Sequence, residues 1–259
     1  MAYHDLSREP QLYKEFKIIE KAFWSEICEN NIRIGDHTHC FMTPMDAPIF
    51  NFIYLRQGAS ENTFQQASTL FSSQKKGHML VLPESLLPEF EEIIKKAGYT
   101  GDGMTTAMYL SLSDATYPPY KNNPCDIILT NHDLKQWAQP LKTAFPVGDD
   151  TITNEYIRYH QKALDNGATI LHYALLVAGQ PVSSLTLTLH DKLARFDDIG
   201  TDIAYQGNGY ATHLITHVLE FCREQGVERC FLDASADGLA LYRKFGFKPL
   251  FNYLSFINE

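Results

Sequence analysis

Between a segment that alternates apolar and polar residues and a run with a single apolar face lies Gln206-Gly207-Asn208-Gly209-Tyr210-Ala211. Two glycines one residue apart allow a bend that a side chain would obstruct. The bend comes at the start of a helix, so several N–H groups converge on the positive end of the helix dipole. Such a place suits a phosphate or pyrophosphate. It also restricts the fold. Strand, tight turn and helix in that order begin a crossover, and a crossover needs a sheet with helices on its faces.

The flanking residues extend this pattern. Alternation predicts strands over 171–177, 182–189 and 193–201, the first two joined by a hairpin turn at Ala178-Gly179-Gln180-Pro181. Helical periodicity covers 210–225, closed by Gly226, and 239–245, capped by Gly246. Strands are expected over 229–234 and near 251–256. Upstream, 127–129 reads as a short strand, 131–145 as a helix, and 150–164 as a second helix that Asn166-Gly167 ends. A hairpin followed by a β-α-β crossover makes a mixed α/β sheet.

The stretch Asp114-Ala115-Thr116-Tyr117-Pro118-Pro119-Tyr120-Lys121-Asn122-Asn123-Pro124 is too rich in turn formers for a helix interior or a central strand. It reads as a boundary between residues 1–120 and 121–259. The two parts share a phrase. His78-Met79-Leu80-Val81-Leu82-Pro83, a helix to Lys96, Ala97-Gly98-Tyr99 and a strand over 106–112 run parallel to Cys230-Phe231-Leu232-Asp233-Ala234-Ser235, a helix to Lys244, Phe245-Gly246-Phe247 and the last strand. The shared order suggests a degenerate duplication. In the first part, Arg56-Gln57-Gly58-Ala59-Ser60-Glu61 stands where the glycine turn would be and lacks the second glycine. One working site is therefore expected, in the second part.

Composition excludes several partners. The 259 residues carry a formal net charge of −9. No cluster of lysine and arginine breaks that balance, which argues against nucleic acid or an anionic membrane. No window approaches the roughly 20 apolar residues needed to span a bilayer. Met1-Ala2-Tyr3-His4-Asp5-Leu6 has no basic region leading into an apolar stretch, so no signal peptide is expected. The five cysteines include no Cys-x-x-Cys pair and fit a reducing cytoplasm, with the thiols as small core residues.

On the helix after the turn, Leu214, Ile215, Val218, Leu219, Phe221 and Cys222 share one face, and His213, Thr216, His217, Glu220 and Arg223 the solvated one. His213 and His217 have metal-compatible spacing but no third ligand in sequence, and His37-Thr38-His39 falls in a surface loop. No metal site is expected. A dinucleotide fingerprint is the competing reading of Gly207-x-Gly209-x-x-Thr212 with Asp233. Thr212 stands in the third glycine's place, and the strand ends at Thr201, well short of Gly207. Both details count against it.

Three motifs in order carry a family resemblance. Gln206-Gly207-Asn208-Gly209-Tyr210-Ala211 matches the Gln/Arg-x-x-Gly-x-Gly/Ala signature of the GNAT superfamily of acyl-CoA-dependent N-acyltransferases. Leu232-Asp233-Ala234-Ser235 and Leu241-Tyr242-Arg243-Lys244-Phe245-Gly246-Phe247 match that family's closing strand and its Leu-Tyr-x-x-x-Gly-Phe element. By these motifs residues 126–259 resemble a GNAT domain, and the first half resembles the degenerate GNAT-like domain of two-domain members. The resemblance implies a tandem GNAT fold, with 1–120 degenerate and 121–259 binding acetyl-CoA.

It also implies roles. Backbone groups of Ile199, Gly200 and Thr201 would pair with the pantetheine arm. The amides of Gly207, Asn208, Gly209, Tyr210, Ala211 and Thr212 would hold the pyrophosphate, and Ser235 would touch the cofactor. Tyr242 would act as general acid on the departing thiolate, a phenol near pKa 10 facing a thiol near 8.5. The acceptor would be a small-molecule or peptide amine, attacking the thioester through a tetrahedral intermediate. An amine with a pKa near 10.4 is almost wholly protonated at pH 7, so a base is needed. The family's strand-borne glutamate falls nearer Arg195, so this chain departs from the pattern. Alternation puts Asp197 on the face of Ile199 and Thr201 and Asp198 on the other. Asp197 is the first candidate for the base and Asp233 the second. Two other classes stay open: a cofactor-binding module without catalysis and an interaction scaffold.

Overall fold

The alternating segments become strands of one mixed sheet, and the amphipathic runs become helices on its two faces. The structure is a computed structural model describing residues 10–45, 47–120, 124–145 and 150–258. Residues 121–123 of the expected boundary lie outside the described residues. The first half runs α1 (Pro10–Ile27), β1 (Asn30–Ile34), β2 (Thr38–Met42), β3 (Phe52–Leu55), α2 (Glu61–Ser73), β4 (His78–Pro83), α3 (Leu87–Lys96) and β5 (Thr100–Ser111). The second runs β6 (Asp126–Leu129), α4 (Leu134–Ala138), α5 (Leu141–Ala144), α6 (Asp150–Asp165), β7 (Ile170–Val177), β8 (Gln180–His190), β9 (Leu193–Thr201), α7 (Tyr210–Glu224), β10 (Arg229–Ala234), α8 (Leu239–Lys244) and β11 (Lys248–Asn258).

The described strands form a single sheet in the order β1-β2-β3-β4-β11-β5-β10-β9-β8-β7-β6. Read from its middle, the order is nearly symmetrical. Each half contributes an antiparallel meander, a parallel pair (β3 with β4, β9 with β10) and a final strand. The final strands are exchanged. β11 pairs with β4, β5 pairs with β10, and the two pair with each other at the centre. The repeated order seen in the sequence is therefore a repeated topology. The two sides of the 114–124 segment share one sheet, with each half closed by the other's last strand.

Several boundaries differ from expectation, each for a local reason. The helix expected over 131–145 is two short helices, α4 and α5, broken at Pro140, whose missing N–H interrupts the ladder. The 178–181 turn is only Ala178 and Gly179, at φ 49° and 79°, so Gln180 and Pro181 already belong to β8. Two successive positive φ values match the twist of a two-residue hairpin. β5 and β11 are both longer than the alternation suggests, because they pair with each other over most of their length.

Helices α7 and α8 bury one face of the second half on Phe196, Leu232 and Ala234. Helices α2 and α3 do the same in the first half on Ile53, Leu55, Leu80 and Leu82. The opposite face is covered by α1, whose Tyr13, Phe16 and Ile19 pack on Phe231, Phe251 and Tyr253. Four of the five free cysteines are buried. Thr216, expected on the solvated face of α7, is buried, its hydroxyl donating to the Thr212 carbonyl at 2.9 Å. Phe221, expected in the core, is half-buried.

Candidate active site

The parallel pairing of β9 with β10 ends at Phe196↔Leu232, and beyond that point the strands part. Their departure has a local cause. β9 is bulged against β8 between Thr186↔Asp197 and Ser184↔Gly200, and Asp198 sits in the bulge at φ 51°, a conformation costly for a residue other than glycine. Past the bulge α5 presses on the strand. A Cβ on Gly200 would lie 2.8 Å from Leu141 Cδ2, so only glycine lets α5 approach this closely. The result is a cleft of about 830 Å3 that reaches from Asp197 and Asp233 at the fork to Gly207, Gly209 and Thr212 at the start of α7.

That end of the cleft is a glycine turn running into an uncapped helix start. Gly207 and Gly209 stand at φ 76° and 84°. Gly209 is the N-cap of α7 and brings no side chain to it, so the first-turn N–H groups have no internal taker. Neighbouring side chains brace the turn without covering it. Asn208 Nδ2 donates to the carbonyls of Tyr205 at 3.0 Å and Gln206 at 3.2 Å, and Gln206 Nε2 donates to that of Thr201 at 3.1 Å. A single-turn helix, Ile203–Tyr205, separates the strand from the glycines, preserving the gap that argues against a dinucleotide turn.

Titratable groups crowd the other end. Tyr242 of α8 lines the cleft and is largely buried; burial, then the charge of Asp197, pushes its pKa up to about 12. A Cβ on Gly238 would fall 2.8 Å from Tyr242 Cε2, so glycine there makes room for the ring. Burial raises the Asp197 carboxyl to about 7 against the opposing pull of Arg195, and raises Asp198 to about 6 against hydrogen bonds from Thr186 and Tyr156. The Tyr156 hydroxyl on α6 donates to Asp198 at 2.9 Å and Thr186 Oγ1 donates at 2.8 Å. The fully buried Arg195 guanidinium reaches Asp197 and Asp233 together.

The bulge corrects one expectation. Thr186 is the cross-strand partner of Asp197 and also binds Asp198, so the two aspartates share a face, with Arg195. Ile199 packs with the α7 core, on the opposite side from Asp197. Strict alternation had grouped Asp197 with Ile199 and Thr201, and one extra residue undid it.

No curated protein sequence matches this chain. Residues 131–247 match the model of the family described as "Acetyltransferase (GNAT) family". This segment is a GNAT domain. Solved structures resemble almost the whole chain. A GCN5-related N-acetyltransferase from Kribbella flavida superposes with a TM-score of 0.66 at 11% identity, covering 94% of this chain and 95% of that one. One from Sphaerobacter thermophilus gives 0.63 at 14%, covering 88% and 82%. A tandem GNAT protein from the clavulanic acid biosynthesis pathway gives 0.60 at 13%, covering 86% and 79%. At these identities the likeness is one of fold: a mixed α/β GNAT architecture. Family and fold together support an acetyltransferase role.

Within the GNAT domain the fold brings most of the sequence-derived residues to one cleft. Ile199, Gly200, Thr201, Gly207, Gly209, Tyr210, Ala211, Thr212 and Ser235 line it, as do Asp197, Asp233 and Tyr242. Asn208 does not, its side chain being spent on the turn's own carbonyls. Ser235 Oγ also accepts from the Gly238 N–H at 3.3 Å. His213 is engaged elsewhere, hydrogen-bonded to Cys125 Sγ at 3.2 Å and stacked on Tyr120. Sequence reasoning missed the contributions of Arg195, Asp198 and Tyr156. One signal for Arg195 was present: a cation two residues before Asp197 on a strand shares its face.

Proposed function

We propose that this protein is an N-acetyltransferase that moves the acetyl group of acetyl-CoA to an amine by direct attack. The observation that carries this reading is the joining of an uncapped helix N-terminus to buried proton carriers by one cleft. In this reading residues 121–259 bind the co-substrate, with the amides of Gly207, Asn208, Gly209, Tyr210, Ala211 and Thr212 on the pyrophosphate. The edges of Ile199, Gly200 and Thr201 pair with the pantetheine arm, and Ser235 borders it. Residues 1–120 are the non-catalytic half, whose α1 covers the buried charges at the fork. The free cysteines fit a reducing compartment.

The proton balance assigns two residues. Asp197, whose carboxyl lies near 7, takes the proton that the amine must lose to attack the thioester carbonyl. When the carbon–sulfur bond breaks, Tyr242 gives its proton to the leaving thiolate. Burial holds that phenol protonated, near 12, so its O–H is present at neutral pH, and the developing negative charge on sulfur is what draws the proton. Asp233 is the alternative base.

A thiol-release assay with acetyl-CoA and a panel of polyamines, amino acids, aminoglycosides and peptides tests the reading. Release of CoA that depends on one acceptor class is expected. A binding module without catalysis would show thermal stabilisation by acetyl-CoA, about 2.7 kcal/mol at a hundredfold excess over the dissociation constant, and no release with any amine. A scaffold would show neither.

A further inference from the structure

Arg195 takes no part in the proton transfers above, yet it is among the most deeply buried charges in the protein. Its side chain is 2% exposed. Nε donates to both Asp197 oxygens at 3.0 Å, and Nη2 lies 2.9 Å from Asp197 Oδ1 and 2.6 Å from Asp233 Oδ2. Asp197 is the next residue after Phe196 on β9, and Asp233 the next after Leu232 on β10. The two carboxylates therefore flank the point where the strands part, at positions where like charges repel. One guanidinium stands between them.

We propose that Arg195 is a positioning residue for the transfer reaction: it clasps Asp197 and Asp233 across the fork, holding the base toward the cleft. The inference rests on Asp197 as the base. A planar fork of donors can grip one carboxylate with two nitrogens and still reach a second, which the single nitrogen of lysine cannot do. The clasp is shielded from water. Phe16 of α1 lies against it, its ring centroid 5.7 Å from the guanidinium carbon, so the first half closes the side of the site away from solvent.

The charges around Asp197 give the proposal a sign. Arg195 and Asp198 act from β9, Asp233 from β10 and Tyr242 from α8. Tyr156 of α6 binds Asp198, and Glu20 of α1 acts on Arg195 and on Tyr54 of β3. Glu20 is itself paired with Arg56. Arg195 lowers the proton affinity of Asp197, whereas Asp233 and Asp198 raise it. Removing the arginine and removing the second aspartate must move the base in opposite directions.

The test is the pH profile of kcat/KM in the full chain for wild type, Arg195→Gln, Arg195→Lys, Asp233→Asn and Asp197→Asn, with melting curves for each. In Arg195→Gln the acid limb is expected to rise by at least one pH unit, and turnover at pH 7 to fall tenfold or more. The KM for acetyl-CoA should stay within twofold. Arg195→Lys should fall between it and wild type. In Asp233→Asn the limb should move to lower pH. Limbs that stay in place, or that move the same way in the glutamine and asparagine variants, would reduce Arg195 to a structural ion and overturn the proposal. If Arg195→Gln does not fold, Arg195→Lys and Asp233→Asn decide by the same signs. Asp197→Asn separates the two ideas. Loss of its limb together with unmoved limbs in the others rejects the clasp alone; a wild-type limb in Asp197→Asn rejects the base, and the clasp with it.

Discussion

In the first half the parallel pair β3–β4 stays hydrogen-bonded through Tyr54↔Val81, and α2 follows after a short turn. In the second half the matching pair β9–β10 stops at Phe196↔Leu232, and a bulge and a glycine turn intervene before α7. The helix starts differ most. Ser60 Oγ accepts from the Thr63 N–H at 3.3 Å and Thr63 Oγ1 accepts from the Ser60 N–H at 3.2 Å, a capping box that uses the donors an anion would need. Gly58 faces the His37 ring, 3.1 Å from where a Cβ would stand. Arg56 is buried against Glu20 and the Tyr253 hydroxyl.

The proposed proton carriers have no counterparts at the matching positions of the first half. Ala107, which pairs with Asp233, stands at the same offset after Gly98 as Ser255, which pairs with Val81, stands after Gly246. Val81 thus corresponds to Asp233 and its partner Tyr54 to Asp197, while Ile94 precedes Gly98 as Tyr242 precedes Gly246. One topology gives an open fork flanked by two carboxylates in one half and a closed fork without them in the other. The sheet makes such a site possible; the turn and a few side chains decide whether it exists.

The comparison breaks most sharply at Asp197, the proposed base. Asp197→Asn gives the second half an uncharged side chain at the fork, and turnover should fall about a hundredfold or more. Wild-type activity should rise with pH through about 7, as the carboxylate loses its proton, and the variant should lose that rise in a pH–rate profile. Tyr242→Phe comes next, with turnover roughly tenfold lower or worse and acetyl-CoA binding retained in a titration. Gly209→Asp places a carboxylate on the uncapped helix start, where it competes with the pyrophosphate. Calorimetry should show acetyl-CoA affinity lower by about tenfold, close to 1.4 kcal/mol. The smallest effect tests the first half. Ser60→Ala removes the cap of α2 and should cost about 1 kcal/mol in a denaturant melt while leaving the KM for acetyl-CoA unaltered.

Much of the GNAT half was legible from local pattern. β9 and β10 begin and end where alternation placed them, α7 starts at Tyr210 after the glycines, and Gly246 follows α8. These elements depend on neighbours a few residues apart, which a sequence displays directly. The glycine-turn end of the cleft was legible for the same reason, being a single turn and the helix after it. The other end was legible only in part: Asp197, Asp233 and Tyr242 were candidates from the sequence, but their meeting around Arg195 was not. Asp197, Asp233, Arg195 and Tyr242 come from two strands and a helix, and the bulge at Asp198 that puts both aspartates on one face has no signature in an otherwise regular alternation.

By itself, the sequence determined a mixed α/β sheet, a repeated order of elements, a double-glycine turn at one helix start, and the lack of that turn at the matching place in the first half. Only the tertiary structure decided that the halves exchange β5 and β11, that the strands part after Phe196 and Leu232, and that Arg195 stands between two carboxylates. The difference is one of range. Turns, caps and periodic faces arise from contacts within a few residues. Strand exchange and a buried ion cluster are chosen by pairings between distant residues, whose energies exist only once the chain has closed on itself.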